Sequence, residues 1–499
     1  MASFDGLLLF LAALNLYLVV LLVLRFRGKL SGPNFELALG ACILWRTEKG
    51  LRLMDRLARA KSFWRVAGDV GVVATIVAGA GIFALLLFQL WIFATNPVVA
   101  SRAAVPPEQL LVLPGLNPLI PLWYGILALA VALIVHEYSH GILARAHDLK
   151  VKSMGLIFFI VPIGAFVEPD DEEMERAPTR VKNRVFAAGV TSNLVVALLC
   201  ALVFTSAWGA LAVKSEGVGV SVVYPGSPAE EAGLRSGSVL THVDARPVAN
   251  TIEFSRRLEG KNVYDTIGLR ILQPDGRVVE REVHLVDRYG YFAAHFPQAN
   301  NQSYFGRPWL GVGTLNLTSQ GGYPVVCDRC PPPSMQDLIQ LQTQPLAGGW
   351  NSFGFFIGLP FAGLSPFPDD LATFYAVKDG PFSALGVGGT LVLANAMYWI
   401  FWLNLMVGTF NALPAGPLDG GQMYRTSVRG ILRRILGVPG DRIVVERLDD
   451  RSLRVRGLDA QTQEKLDRVE RTARRITWTT GLLILGLILV PLLLPHLAR

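Results

Sequence analysis

The sequence predicts a polytopic α-helical membrane protein with about six transmembrane helices and one inserted small α+β domain. Of its 499 residues, 52% are hydrophobic and only 17% are charged, whereas an average soluble domain has about 25% charged residues. The apolar residues gather into six runs, and between the fourth and fifth runs the pattern changes to short alternating segments. These features exclude a disordered chain and an ordinary soluble enzyme.

The six apolar runs approach or exceed the roughly 18 to 20 residues that a helix needs to cross about 30 Å of hydrocarbon. They cover residues 7–24, 70–92, 121–135, 185–213, 391–410 and 476–494. No basic residue precedes the first run and no small-residue cleavage site follows it, so we expect it to be retained rather than removed as a signal peptide.

The basic residues predict how these helices are oriented. Ten Lys and Arg residues lie between the first two runs, whereas the loop at 96–118 has Arg102 alone. Because cytoplasmic loops carry the excess of Lys and Arg, the first loop and residues 170–184 and 425–475 are expected inside, and residues 215–381 outside. Juxtamembrane loops beside the lipid bilayer then explain the net charge of +7, and no nucleic-acid partner is expected.

The chain is expected to divide into seven segments. They are a first transmembrane helix and basic cytoplasmic loop at 1–66, the N-terminal half of a membrane core at 67–213, an extracytoplasmic domain at 214–287, an extracytoplasmic connecting region at 288–382, the C-terminal half of the core at 383–424, a basic cytoplasmic segment at 425–475 and a last transmembrane helix at 476–499. In the connecting region Cys327 and Cys330 form a CxxC pair. A disulfide is favoured there over a structural zinc, because no second ligand pair accompanies it.

The inserted domain is indicated by four short β-like runs within residues 217–285, separated by turn signals such as the one at 274–276. Residues 222–248 resemble a PDZ domain of the kind attached to membrane and periplasmic proteases, with Ser227 as the expected N-cap of a short helix. PDZ domains bind extended peptides by adding a strand to a sheet edge, so the resemblance implies a peptide groove near residues 217–222. The alternative is that the domain only spaces or shields the membrane site.

The third apolar run leads into an HExxH motif, His136-Glu137-Tyr138-Ser139-His140. On a helix its two imidazoles are about 40° apart around the axis and about 6 Å apart along it, so both face one point. That spacing suits one zinc ion, and Glu137, about 100° round the helix, can take a proton from water without being a ligand. Ionisable residues within a membrane span are costly and usually functional.

A catalytic zinc usually has three protein ligands and one open position. The candidate third ligand is Asp419, in the segment NALPAGPLDGG that follows the fifth run. Pro414, Gly416 and Pro417 break the helix there, and irregular backbone near membrane depth is tolerated where it lines a cavity. The alternative is a capped turn that leaves the membrane with Asp419 solvated.

Together, HEYSH and NALPAGPLDGG resemble the paired motifs of the site-2 protease family of intramembrane zinc metalloproteases. The resemblance covers roughly residues 119–213 and 385–424, and a PDZ insertion between the two halves is also found in that family. It implies that His136, His140 and Asp419 bind one catalytic Zn²⁺ and that Glu137 is the general base.

Two further segments resemble motifs of the same family. Gly189-Val-Thr-Ser-Asn193 matches its GxxxN motif, which implies that Asn193, and similarly Asn411, touches the substrate strand or stabilises the oxyanion. For Asn193 an interhelical hydrogen bond is the alternative. Residues 153–168 resemble the family's re-entrant β-loop, whose open strand edge would hold an unwound substrate; the alternative is an interfacial packing loop.

The resemblance implies a zinc-dependent intramembrane endopeptidase that cleaves transmembrane segments of single-pass membrane proteins, as in regulated intramembrane proteolysis. We expect it in a prokaryotic cell membrane, with its active site near the cytoplasmic side. The PDZ domain is expected outside, where it binds a peptide or a substrate ectodomain and excludes substrates whose ectodomain is intact. The alternatives are a catalytically silent membrane PDZ scaffold and a metal or solute transporter, which would show inverted repeats of broken helices.

Overall fold

The computed structural model describes most of the chain. It covers residues 2–28, 31–32, 35–38, 42–96, 114, 117, 119–159, 161–317, 354, 356–358, 360, 369–438, 445–447, 453–455 and 460–497. Cys327, Cys330 and other parts of the predicted segments 288–382 and 425–475 lie outside the described residues.

The described residues form mainly long helices and short antiparallel strands. The helices are α1 (Ala2–Phe26), α2 (Leu51–Ala58), α3 (Lys61–Thr95), α4 (Leu122–Ala146), α5 (Asp171–Arg176), α6 (Thr179–Gly209), α7 (Pro228–Glu231), α8 (Thr251–Glu259), α9 (Arg288–His295), α10 (Gly386–Asn411), α11 (Asp419–Ile435) and α12 (Ala460–Leu497). The strands are β1 (Ser31–Gly32), β2 (Phe35–Ala38), β3 (Cys42–Thr47), β4 (Val151–Phe159), β5 (Val161–Pro169), β6 (Leu211–Val213), β7 (Val218–Val223), β8 (Val239–Val243), β9 (Arg246–Pro247), β10 (Thr266–Leu272), β11 (Val278–His284), β12 (Val286–Asp287), β13 (Pro308–Trp309), β14 (Val312–Asn316), β15 (Tyr375–Val377), β16 (Val445–Arg447) and β17 (Leu453–Val455). They make up two compact units, residues 1–199 with 399–499, and residues 200–398.

Among the described residues, five helices are long and apolar enough to cross a membrane. They lie at Lys61–Thr95, Leu122–Ala146, Thr179–Gly209, Ser383–Asn411 and Gln461–Pro491. The first predicted run falls in α1, of which Asn15–Phe26 is an apolar helix among the described residues, so the expected sixth transmembrane helix stays a prediction. The fourth run was expected to be helical to residue 213, but the helix ends at Gly209 because Leu211–Val213 pairs with β15.

A five-stranded antiparallel sheet in the first unit follows the order β1-β2-β3-β4-β5. Strands β4 and β5 form a hairpin in which Met154 lies opposite Val167, so the segment predicted as a β-loop is a hairpin. Strand β3, from the loop after α1, pairs with β4. Gly155 permits that pairing, because a Cβ there would lie 2.0 Å from the carbonyl oxygen of Trp45. Strand β5 is an edge strand of this sheet.

Helix α6 is fixed against α3 at its first turns. Arg180 and Arg184 both donate to the carboxylate of Asp69, at 2.7 and 2.5 Å. Arg184 is buried and packs on Gly68, where a Cβ would lie 2.9 Å from the Arg184 Cγ. A charge-assisted contact of this kind is stronger than a neutral hydrogen bond, and it sets the position from which α6 passes α4.

The second unit contains a sheet in the order β11-β10-β8-β7-β14, with β9 paired to β8. Its buried apolar core includes Leu240 and Ile267, both fully enclosed. Helices α7 and α8 begin at Ser227 and Asn250, whose side chains accept backbone N–H groups of the first turn. The predicted N-cap at Ser227 is confirmed.

Two expectations for this unit are wrong. The domain does not end at residue 287, because β14 belongs to the same sheet and pairs with β7 along its whole length. The peptide groove is misplaced at residues 217–222, because β7 is an inner strand of the sheet, paired with β14 along its length and with β8 at Val218 and Gly219. The sequence pattern missed this because β14 returns to the sheet only after the chain has passed through α9.

Candidate metal centre

The HExxH motif lies in the second half of α4, on one uninterrupted helix. The helix starts directly after Pro121, whose fixed φ suits the residue before a helix. The ring centroids of His136 and His140 are 5.0 Å apart. Their side chains are 7% and 12% exposed, so both rings face the protein interior.

Asp419 is the first residue of α11 and meets the two imidazoles. Its Oδ2 lies 3.0 Å from Nε2 of His136 and 3.3 Å from Nε2 of His140. The helix N-terminus favours a negative charge at this position. The preceding turn folds back tightly on the helix, because a Cβ at Gly420 would lie 2.1 Å from the carbonyl oxygen of Ala412. The turn therefore delivers the carboxylate into the core of the unit rather than to solvent.

These three side chains fit a metal ion. Each offers one ligand atom, and the three atoms lie within 4.8 Å of one another. Tetrahedral zinc with bonds of roughly 2.1 Å places its ligand atoms about 3.4 Å apart, close to the observed separations. The buried Oδ2 of Asp419 accepts no well-aligned hydrogen bond among the described residues, although two nitrogens adjoin it. A cation between the three atoms satisfies all of them.

Helix α6 contacts both rings at Nδ1, the nitrogen that does not face Asp419. Nδ1 of His140 donates to the carbonyl oxygen of Val185 at 2.7 Å, and Nδ1 of His136 lies 3.2 Å from Nδ2 of Asn193. Between them, Gly189 lets the bare backbone touch the rings: a Cβ there would lie 2.5 Å from His140 Nε2 and 2.6 Å from His136 Cε1. Metal-binding histidines are usually oriented by such contacts at the second ring nitrogen.

Glu137 lies beside the centre and is held by the sheet. The backbone N–H of Val167, in β5, donates to Glu137 Oε2 at 3.2 Å. Glu137, His140 and Asp419 all line one cavity of about 520 Å³. Glu137 is not one of the three grouped ligand residues, which leaves its carboxylate available to a water in that cavity.

The two candidate asparagines differ in their surroundings. Asn193 is fully buried against His136. Asn411 ends α10 and its side-chain amide donates to the carbonyl oxygen of Val407 in its own helix, at 3.0 Å. Contact of either residue with a substrate or an oxyanion stays a prediction.

The cavity extends along α11 away from the metal centre. Its wall includes Arg425, Arg429 and Arg433, which lie up to 14 residues, or about 21 Å of helix rise, beyond Asp419. Arg429 pairs with Glu470 of α12 at 2.5 Å. Burial lowers the pKa of the Arg425 guanidinium, and the neighbouring Arg429 lowers it further. The cavity that adjoins the centre therefore has charged residues along the part of its wall formed by α11.

Two functional contacts were missing from the sequence-based prediction. They are the carbonyl oxygen of Val185 and the N–H of Val167, which hold His140 and Glu137. Both are backbone groups, which every residue carries, so no residue type in the sequence could have indicated them.

Comparison with known proteins agrees with this centre. A model of the family described as peptidase family M50 matches residues 124–447, a range that contains the HExxH motif and Asp419. An uncharacterized protein of Methanocaldococcus jannaschii is 28% identical over 231 residues, which cover 45% of this chain and 59% of that protein. A protein of Clostridium perfringens provisionally named a zinc metalloprotease is 23% identical, covering 62% of this chain and 88% of its own length. The metalloprotease MmpA of Caulobacter vibrioides is 22% identical, covering 62% and 86%.

The cofactor and the family follow from these findings together. Relatives named for zinc, and a centre of two imidazoles and one carboxylate, make zinc the cofactor. The family is membrane-embedded, in agreement with the apolar helices. Since the family model matches well over half of the sequence, this chain belongs to peptidase family M50.

Proposed function

We propose that this chain is a zinc-dependent intramembrane endopeptidase of the site-2 protease type, which hydrolyses peptide bonds within transmembrane segments of single-pass membrane proteins. The observation that carries the proposal is the convergence of His136, His140 and Asp419 from α4 and α11, with Glu137 directly beside them. Helix α4 is itself long and apolar enough to cross a membrane. The chemistry would therefore take place below the lipid headgroups.

The proposed roles follow from the position of each group. Zinc held by His136, His140 and Asp419 supplies Lewis acidity, which makes water nucleophilic near neutral pH and polarises the scissile carbonyl. Glu137 takes one proton from the attacking water as its oxygen bonds to the carbonyl carbon. As the C–N bond breaks, Glu137 gives that proton to the leaving amine.

A substrate helix must unwind before its carbonyl can reach the centre, and β5 offers a place for the unwound segment. It is an outer strand of its sheet, and its Val167 N–H points at Glu137 rather than at β4. A substrate strand added along β5 would regain hydrogen bonds lost on unwinding. Helix-weakening residues in a substrate span should therefore favour cleavage.

The inserted domain is proposed to act as a PDZ domain that selects substrates. Its outer strand is β14, and a cavity of about 640 Å³ is lined by Val312 of that strand, by Phe254 and Leu258 of α8, and by Trp309. An extended peptide or part of a substrate ectodomain can add to β14 and place side chains in this cavity. In the proposed membrane orientation the domain is extracytoplasmic and the metal centre is near the cytoplasmic side, in a prokaryotic cell membrane.

One experiment tests both the reaction and the selection. Two substrates share a single transmembrane segment, and one carries a folded ectodomain while the other is trimmed outside the membrane. We expect the purified full chain in lipid vesicles to cut the trimmed substrate within the span, as mapped by mass spectrometry, and to cut the intact one much more slowly. Absence of cleavage within the span would overturn the proposed reaction, whereas equal cleavage of both substrates would overturn only the selection.

A further inference from the structure

Asn193 is a buried side chain in contact with one of the two metal-binding imidazoles. It is 0% exposed, and its Nδ2 lies 3.2 Å from Nδ1 of His136. Its Oδ1 is buried with no hydrogen-bond partner among the described residues. Buried amides are normally satisfied, so an amide whose nitrogen adjoins a ring nitrogen while its oxygen has no partner needs a physical reason.

The position of the ring proton decides whether an imidazole can bind metal through Nε2. For His140 the position follows from its partner: the carbonyl oxygen of Val185, 2.7 Å from Nδ1, can only accept. Nδ1 therefore carries the proton, and Nε2 presents its lone pair beside Asp419. To bind the same metal ion, His136 must take the same tautomer, because its Nε2 is also the atom next to Asp419.

Asn193 can enforce that tautomer in only one orientation of its amide. With Nδ2 towards Nδ1 of His136, the amide donates, the ring proton moves to Nε2 and metal binding is blocked. With Oδ1 towards Nδ1, the amide accepts the Nδ1 proton and Nε2 keeps its lone pair. The two orientations of the amide have the same shape. The oxygen and the nitrogen are therefore distinguished only by the hydrogen bonds that each can make.

The supporting contacts lie on one stripe of α6. Val185, Gly189 and Asn193 are four residues apart, which places them on one face of the helix. The first supplies an acceptor to His140, the second leaves room for both rings, and the third reaches His136. Both imidazoles are therefore oriented by the same helix face, which is the arrangement expected around a metal site.

We propose that Asn193 is a positioning residue for zinc: its Oδ1 accepts the Nδ1 proton of His136 and so holds that ring in its metal-binding tautomer and orientation. It acts through His136 and needs no contact with substrate. The inference rests on the metal centre and not on peptide hydrolysis, so it can be tested in the absence of any substrate.

The test compares zinc affinity among variants of the full chain in detergent, by competition with a chelator of known affinity. Asn193→Leu keeps the volume but removes the acceptor, and we expect its dissociation constant for zinc to rise by about 10- to 100-fold. Asn193→Asp keeps an acceptor that cannot donate, and should restore affinity to within about threefold of the unmodified chain. The ligand-field spectrum of the cobalt-substituted protein should shift in the leucine variant and return in the aspartate variant.

A matched control is Asn404→Leu. Asn404 is also fully buried in an apolar helix, but its amide donates to the carbonyl oxygen of Ile400 in the same helix. The zinc affinity of the Asn404→Leu variant should equal that of the unmodified chain. If Asn193→Leu does not fold, as judged by gel filtration and thermal unfolding, Asn193→Ala removes the acceptor without bulk and should show the same loss.

Two results would overturn the inference. One is unchanged zinc affinity in the variants that lack the acceptor; slower cleavage by Asn193→Leu in that case would place the amide on the substrate instead. The other is equal loss of zinc affinity in Asn193→Asp and Asn193→Leu. Failure of the proposed hydrolysis would show differently, as a chain that binds zinc as expected and cuts nothing.

Discussion

Replacing Glu137 with glutamine is expected to slow cleavage of a transmembrane substrate by about 100- to 10,000-fold, the usual contribution of a general base, while bound zinc stays unchanged. Glutamine has nearly the same shape, and its amide oxygen can still accept the Val167 N–H that holds Glu137 at 3.2 Å. It cannot take a proton from the attacking water. The measurement is the single-turnover rate of cleavage, with zinc per chain determined on the same sample.

Glu172→Gln is the matched control for this substitution. Glu172 lies in the short helix α5, 79% exposed and paired with Arg176, so its variant should cleave at the normal rate. Normal cleavage by Glu137→Gln would show that Glu137 is not the base. Loss of zinc in that variant would show that the carboxylate is a ligand instead.

Adding one methyl group at residue 189 is expected to remove zinc from the protein and abolish cleavage with it. In Gly189→Ala the new Cβ would lie 2.5 Å from His140 Nε2 and 2.6 Å from His136 Cε1, well inside the roughly 3.5 Å at which such atoms pack. Either the rings turn away from Asp419, or α6 moves back and loses its contacts to both rings. Zinc analysis after dialysis and the cleavage rate should fall together.

Gly81→Ala provides the control for that change. Gly81 is also within an apolar helix, α3, but a Cβ there meets nothing within 4 Å, and alanine favours a helix over glycine by up to about 1 kcal/mol. This variant should keep its zinc and its activity. Gly189→Ala with a full complement of zinc and an unchanged unfolding temperature would contradict the close contact between α6 and the rings.

The local part of the metal centre could be predicted from the sequence, because helix geometry alone relates residues four apart. His136 and His140 face one point for that reason. Their meeting with Asp419, almost 280 residues further on, does not follow from spacing. It was suggested by helix-breaking residues and by a resemblance between motifs, and the structure places the three ligand atoms together.

Long-range strand pairing could not be predicted in the same way. Strand β3 joins the hairpin of β4 and β5 from a loop that shows no recognisable motif, and β14 joins the sheet of the second unit from beyond its predicted end. A short strand is stabilised by the partner it pairs with more than by its own residues. The choice of partner depends on the whole fold, which explains why the domain boundary and the groove were misplaced.

The central claim is that His136, His140 and Asp419 together hold one zinc ion, and metal analysis of the purified chain and of Asp419→Ala tests it most directly. After dialysis against a weak chelator, we expect one zinc per unmodified chain and loss of zinc from the variant, with both proteins shown to be folded by thermal unfolding. Equal zinc in the two folded proteins would contradict the account, because the carboxylate 3.0 and 3.3 Å from the two imidazoles would then not be a ligand.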